Sequence, residues 1–113
     1  MKERTARRTP TQIPEPCCTL AIAGQEQSRL VDMLRAAGSP VRFEILKYLV
    51  THPGCITADV VKALPIAQAT VSQHLKRLRQ AGWIEAHSEG PATCHNLNAE
   101  NVAWFRQWVE EVF

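Results

Sequence analysis

The sequence predicts a mainly α-helical chain with one small β-hairpin, and three observations carry this prediction. Val71, Leu75 and Leu78 recur at i, i+4 and i+7, the spacing of one buried helix face. Two strand-like runs, 84–87 and 94–97, flank a loop of glycine, proline and polar residues. At 113 residues with 45% hydrophobic content, the chain is the size of one globular domain.

The same periodicity places five helices along the chain. We expect them at 25–37, 40–52, 57–64, 68–81 and 100–113. Pro40 suits the first turn of the second helix, and Thr57 is expected to cap the third. Gly82 ends the fourth helix, because glycine adopts the left-handed conformation that commonly follows a helix.

Residues 1–24 are predicted to form a flexible arm, since prolines interrupt them and no apolar periodicity organises them. The basic start MKERTARRTP has no apolar stretch after it, so we expect no signal peptide and a cytoplasmic location. No apolar run approaches the ~20 residues that a membrane span needs. The net charge of +2 neither requires nor excludes nucleic acid.

The fourth helix has the chemistry to read a DNA duplex. Its apolar stripe leaves amides and hydroxyls near the N-terminal end and cations further along. Amides can read base edges, and lysine and arginine can hold phosphates. We assign base and groove contacts to Gln68, Thr70, Ser72 and Gln73, and phosphate contacts to Lys76 and Arg77. The alternative is an ordinary amphipathic helix with a solvated charged face, which its position between a helix–turn and a hairpin disfavours.

This helix and its surroundings resemble the ArsR/SmtB family of winged helix-turn-helix repressors, in particular its arsenic-responsive type. The matching segments are AAGSPVRFEILKYL (36–49), ADVVKAL (58–64), ATVSQHLKRLRQAGWI (69–84) and SEGPATCHNL (88–97). The first is a near version of the family's LGDPTRLRIL signature. The resemblance implies a homodimeric repressor that binds double-stranded operator DNA. One departure is Ala67, where the family usually carries a serine cap worth about 1 kcal/mol.

The final helix is predicted to be a dimer face. Its apolar stripe consists of Val102, Phe105, Trp108, Val109 and Val112. This stripe is broad for a terminal helix that has little domain left to cover, and the resembled family also dimerises through its last helix. The alternative is that this apolar face only packs against the core of its own domain. We therefore expect residues 25–113 to form a winged helix-turn-helix domain for DNA binding and dimerisation.

Four cysteines in a chain expected to be cytoplasmic favour metal binding or redox chemistry over disulfides. The adjacent Cys17 and Cys18 can converge on one soft ion, and Cys55 is the natural third ligand. Thiolates select soft metals, and three sulfurs suit trivalent arsenic or antimony. The family's ELCVCDL motif is reduced here to GCITADVV (54–61), but some arsenic-responsive members pair such a cysteine with an N-terminal CCTL like that at 17–20.

Several alternatives stay open for the cysteines. Zinc or cadmium could bind the same thiols, with His52 completing an S₃N tetrahedron. Oxidation or persulfidation could replace the ion, which requires reactive thiolates. Cys94 is expected to fill space in the hairpin. We expect neither an enzyme nor an organic cofactor, because the sequence gives no nucleophile with an oriented base and a pocket.

Overall fold

The computed structural model describes residues 15–113, so the first fourteen positions of the predicted arm lie outside it. The elements follow the order α1 (Gly24–Ala37), α2 (Pro40–Thr51), β1 (Cys55–Ile56), α3 (Thr57–Ala63), α4 (Gln68–Ala81), β2 (Ile84–Glu89), β3 (Ala92–Leu97) and α5 (Ala99–Val112). Residues 15–23 carry no helix or strand. Within the described residues, none of the helices has the length and apolar character needed to cross a membrane.

The strands form one antiparallel sheet in the order β1-β3-β2. The hairpin is longer than predicted, because β2 and β3 stay paired as far as Glu89 and Ala92. Gly90, with φ of +62°, supplies the positive φ that tight hairpin turns need. The two-residue β1 was not predicted from the sequence. It pairs Cys55 with His95, so the segment between α2 and α3 is hydrogen-bonded to the hairpin.

The predicted apolar stripe of α4 faces the core. Val71 and Leu78 are 0% exposed and Leu75 is 2% exposed. They pack with buried residues of α1, α2 and α3, and the main members are Met33, Ile45, Leu49 and Val60. The regular spacing along one helix therefore anchors α4 along its length and leaves its opposite side to solvent.

The ends of α2 and α4 follow from their sequences. Ser39 Oγ accepts a hydrogen bond from the Arg42 N–H at 3.3 Å, and Pro40 occupies the first turn of α2. Gly82 ends α4 with φ of +96°. A Cβ at this position would lie 3.1 Å from Asn101 Nδ2, so both the backbone and the packing favour glycine.

The predicted cap of α3 is wrong. Thr57 is the first helical residue rather than the cap, and the Ile56 N–H instead donates to Asp59 Oδ2 at 3.0 Å. The Thr57 hydroxyl forms a 2.9 Å hydrogen bond with Nε2 of His95 on the hairpin. The sequence could not show this because the two residues are far apart along the chain.

The last helix, α5, begins one residue earlier than predicted, and the Asn98 side chain accepts from the Asn101 N–H at 3.0 Å. None of its residues is fully buried. Val102, Trp104 and Phe105 of its first half pack against the core. The second half of α5 lies beyond this core contact.

Candidate nucleic-acid interface

The exposed side of α4 carries five of the six residues predicted to contact DNA. Gln68, Thr70, Ser72, Gln73 and Lys76 are all exposed. The buried stripe fixes the rotation of the helix about its axis, so these side chains project away from the core. Together they present amides, hydroxyls and a cation on one continuous surface, and their contacts with DNA stay predictions.

Arg77, the sixth residue, is placed differently. Its Nη2 lies 2.8 Å from Asp32 Oδ1 of α1, and its Nη1 donates to Asp32 Oδ2 at 3.4 Å. This bidentate hydrogen bond lowers the pKa of the Asp32 carboxyl, although partial burial opposes the effect. The Arg77 guanidinium thus joins α4 to α1, which favours a positioning role over the phosphate contact assigned from the sequence.

A second arginine ties α2 to its neighbours. Arg42 Nε donates to the Ala36 carbonyl of α1 at 2.7 Å, and Nη1 lies 3.3 Å from His74 Nδ1 of α4. These contacts and the Arg77 pair join α4 to α2 and to α1, through positions three residues apart on α4. His74 thus has the structural place expected from its position near the buried stripe.

A pocket between α4 and the hairpin is lined by two of the predicted contact residues and by others that sequence reasoning missed. Ser72, Lys76 and Arg79 line it from α4, and His87, Thr93 and His95 line it from β2 and β3. Arg79 lies three residues after Lys76 and seven after Ser72, so all three share the side of α4 that faces the hairpin. This spacing is the sequence feature that could have identified Arg79 as a site residue.

His95 forms part of the floor of this pocket and is 2% exposed. Its Nε2 is hydrogen-bonded to Thr57 Oγ1, whereas its Nδ1 has no partner among the described residues. Burial lowers the pKa of the His95 imidazole, and Arg79 and His87 lower it further. The ring is therefore neutral at neutral pH.

The four cysteines fall into two environments. Cys17 and Cys18 are exposed, with their Sγ atoms 3.9 Å apart, whereas Cys55 and Cys94 are buried in the sheet. Burial raises the pKa of the Cys55 thiol, and the charges of Asp59 and Cys94 act in the same direction. In residues 15–113, no group of three or more histidine, cysteine or acidic side chains is placed to hold a metal ion.

The predicted thiol site is thus not assembled within residues 15–113, since Cys17, Cys18 and Cys55 do not form such a group. His52, the alternative zinc ligand, stacks on Tyr48 with ring centroids 4.0 Å apart. Its Nδ1 lies 3.0 Å from the Tyr48 carbonyl oxygen, so the ring is held against the end of α2.

Residues 39–86, from the cap of α2 into β2, match the family described as bacterial regulatory protein, arsR family. This segment is less than half of the 113-residue chain, so the match shows a similarity to this family over α2, α3, α4 and the start of β2. The HTH-type transcriptional repressor SmtB of Mycobacterium tuberculosis is 35% identical over 72 residues, covering 64% of this chain and 53% of that repressor. An uncharacterized HTH-type transcriptional regulator of Methanocaldococcus jannaschii is 26% identical over 88 residues, covering 78% of this chain and 99% of that protein.

A solved structure shows the same fold as this chain. It is a homodimeric winged helix-turn-helix DNA-binding domain from Mycobacterium bovis, described as a possible ArsR-family transcriptional regulator. The TM-score is 0.64 at 24% identity, over 80% of this chain and 89% of that one. The predicted mainly α fold with a β-hairpin wing is confirmed. The matched segment contains α3, α4 and the start of β2, and the family and both relatives are described as regulators or repressors rather than as enzymes.

Proposed function

We propose that this chain is a homodimeric repressor of the ArsR family that binds operator DNA and leaves it when a soft ion binds its cysteines. One observation carries the proposal for DNA: the exposed polar face of α4, which lies beside the wing. Gln68 and Gln73 have amide groups suited to base edges. Thr70, Ser72 and the cations suit the backbone of the groove.

Arg79 replaces Arg77 in this proposal. Arg79 is exposed beside the wing, whereas Arg77 is occupied by Asp32. The phosphate contacts are thus assigned to Lys76 and Arg79, and Arg77 holds α4 against α1. In a two-fold dimer the paired α4 helices would enter successive major grooves about 34 Å apart.

Two unburied apolar surfaces support the dimer. Val31 and Leu34 of α1 are each 40% exposed, and Phe113 after α5 is 86% exposed. Trp108 and Val109 belong to the part of α5 that lies beyond the core contacts. Burying such surface against a second copy is favourable, and the M. bovis neighbour is described as homodimeric.

The effector site is proposed at Cys17 and Cys18 with Cys55 as third ligand. The arm thiols are exposed, and their 3.9 Å separation suits two sulfurs on one ion. For comparison, two sulfurs at ~2.3 Å from a tetrahedral zinc lie ~3.8 Å apart. Three thiolates on one trivalent arsenic or antimony ion give the simplest complete set, with zinc or cadmium as the alternative ion.

The burial of Cys55 connects this site to DNA binding. Its thiol must lose a proton and become accessible before it binds an ion, and the raised pKa opposes that step. Cys55 lies in β1, which pairs with β3 of the wing and directly precedes α3. Drawing Cys55 towards the arm would therefore disturb the wing and the start of the helix-turn-helix together. An effector acts in this way only through its different affinity for the two states.

The proposal is tested with fluorescence anisotropy on a duplex selected by the protein from a random-sequence pool. Reduced protein should bind this duplex more tightly than a scrambled one, and arsenite or antimonite should release it. Zinc, cadmium and a mild oxidant are titrated in parallel. Release by zinc or cadmium alone would assign the alternative ion, and release by oxidant alone would assign thiol redox sensing. Failure to prefer any duplex would contradict the repressor function itself.

A further inference from the structure

Asn101, in the first turn of α5, contacts two other helices through the two ends of its side chain. The Arg29 guanidinium of α1 donates to Asn101 Oδ1 at 2.6 Å. The Asn101 amide nitrogen donates to the carbonyl of Gly82, the residue that ends α4, at 3.0 Å. Arginine offers only donors and a carbonyl only an acceptor, so these two neighbours fix the orientation of the amide. Asn101 therefore joins α1, α5 and the end of α4 at one point.

The same cluster of side chains reaches the surface that is proposed for the dimer. The Arg29 guanidinium lies 3.8 Å from the centre of the Trp104 ring, a distance at which a cation is attracted to an aromatic face. The Trp104 ring meets the Trp108 ring edge to face, with centroids 6.5 Å apart. Trp108 belongs to the apolar stripe of α5, and Arg29 lies two residues before the exposed Val31 of α1. A continuous chain of contacts thus runs from the proposed dimer face to the residue that ends α4.

The end of α4 that Asn101 contacts is far from the end that carries the amides assigned to base edges. The helix has 14 residues. A helix of that size is about 21 Å long, so a turn of about 10° at one end moves the other end by about 4 Å, close to the spacing of about 3.4 Å between base pairs. Small changes at Gly82 are therefore magnified where α4 would read DNA.

We propose that Asn101 is a positioning residue that transmits the geometry of the dimer face to α4 and so fixes the spacing of half-sites that the dimer accepts. This inference rests on the proposed function. With the Asn101 contacts in place, the two α4 helices of the dimer are held at one separation. Without them, each α4 can pivot about its C-terminal end, and duplexes with altered spacing bind relatively better. Asn101 itself needs no contact with DNA for this role.

The test compares three versions of the selected duplex, namely the selected spacing and the same half-sites with one base pair inserted or removed between them. Wild-type protein should prefer the selected spacing. Asn101→Asp keeps an acceptor for Arg29 but removes the donor to Gly82. Its preference for the selected spacing should fall roughly fivefold, the value of one net hydrogen bond. Fluorescence anisotropy measures the affinities, and sedimentation velocity should show that the variant is still a dimer.

Arg29→Leu is the complementary variant, because it removes the exposed cation from Asn101 and leaves the donor to Gly82 in place. It should relax the spacing preference in the same direction, and it supplies the answer if Asn101→Asp does not fold. Gln107→Glu is the matched control, since it makes the same change from amide to carboxylate at an exposed position of α5 outside the cluster. It should keep the wild-type spacing preference, because repulsion between the added charge and DNA affects all three duplexes alike.

Three results would overturn the inference and leave the proposed function in place. The first is a wild-type spacing preference in both Asn101→Asp and Arg29→Leu. The second is an equal loss of affinity for all three duplexes with a lower midpoint of urea unfolding, which would mean that Asn101 only stabilises the fold. The third is loss of the dimer in Asn101→Asp, which would place Asn101 in the dimer contact itself. Absence of any duplex preference in the wild type would instead contradict the proposed function.

Discussion

Arg77 on α4 and Asp32 on α1 form a bidentate pair, with 2.8 Å between the closer nitrogen and oxygen. The Arg77 side chain is 29% exposed and the Asp32 side chain 41% exposed, so solvent reaches both. Such a pair contributes at most about 1 kcal/mol to stability. Its larger effect is geometric, because it fixes the angle between α4 and a helix of the proposed dimer face.

This pair gives a test of the role of Arg77. Arg77→Gln should leave the salt slope of DNA binding nearly unchanged, because its charge is already neutralised by Asp32. Lys76→Gln should lower the slope by about 0.9, since it removes a contact that releases a counterion. The measurement is anisotropy on the selected duplex at four or more salt concentrations. A lower slope in Arg77→Gln would restore that arginine to the phosphate contacts.

Base reading should depend on the amide at position 73. Gln73→Ala should reduce discrimination between the selected and scrambled duplexes, because a good bidentate base contact contributes about 1–3 kcal/mol. Gln80→Ala, near the C-terminal end of the same helix, is the matched control and should keep the discrimination. Competition binding with the two duplexes measures the ratio. Equal loss in both variants would show that Gln73 does not read a base.

Dimerisation should require the second half of α5. Val109→Asp should give monomers, because it places a charge within an apolar contact surface. DNA affinity should fall with it, since each monomer spans one half-site. Glu111→Ala, an exposed change on the same helix, should remain dimeric. Sedimentation velocity at micromolar concentration gives the answer, and a monomeric parent chain would rule the dimer out.

The response to arsenite should need Cys17, Cys18 and Cys55 but not Cys94. Serine at any of the first three leaves the third coordination position to water or buffer thiol, so release from DNA should be lost while DNA binding persists. Cys94→Ser is the matched control, because it makes the same substitution outside the proposed site and should keep the response. Thiolate absorption during arsenite titration reports the ion directly. Loss of the response in Cys94→Ser, with a normal response in Cys17→Ser, would move the site to the wing.

Stability should decrease at mildly acid pH because of His95. Its pKa is lowered in the folded protein, so below about 6.5 the unfolded state binds the proton more readily. The free energy of unfolding should therefore fall as the pH drops through that value and level off below the folded pKa. His95→Gln should flatten this part of the profile, whereas the exposed His52→Gln should keep it. Urea unfolding between pH 5 and 8 measures the difference, and identical profiles for His95→Gln and wild type would contradict the assignment.

Local patterns predicted the helices well because their causes are local. The stripe of Val71, Leu75 and Leu78 and the stop at Gly82 need only neighbouring residues. The two-residue β1 could not be predicted, since its partner in β3 lies some forty positions away. A similar separation along the sequence made two other contacts unpredictable, namely the pairing of Arg77 with Asp32 and the hydrogen bond between Thr57 and His95.

The thiol site illustrates another limit. The sequence showed which cysteines could act together, but burial decides which of them is available. Cys55 is enclosed by the sheet that it helps to form, so its accessibility depends on the tertiary structure rather than on spacing.

The junction between α4 and β2 has a consequence for how this protein can move. The Trp83 indole donates to the Met33 carbonyl of α1 at 2.7 Å, and its ring packs on Phe105 of α5. The Asn101 amide also donates to the Gly82 carbonyl at 3.0 Å. These contacts join α1 and α5 to the end of α4. In the proposed dimer, an ion at Cys55 would then shift β1 and the wing against a set of helices that stays intact, and spin labels on the paired wings would report this shift as a change in distance.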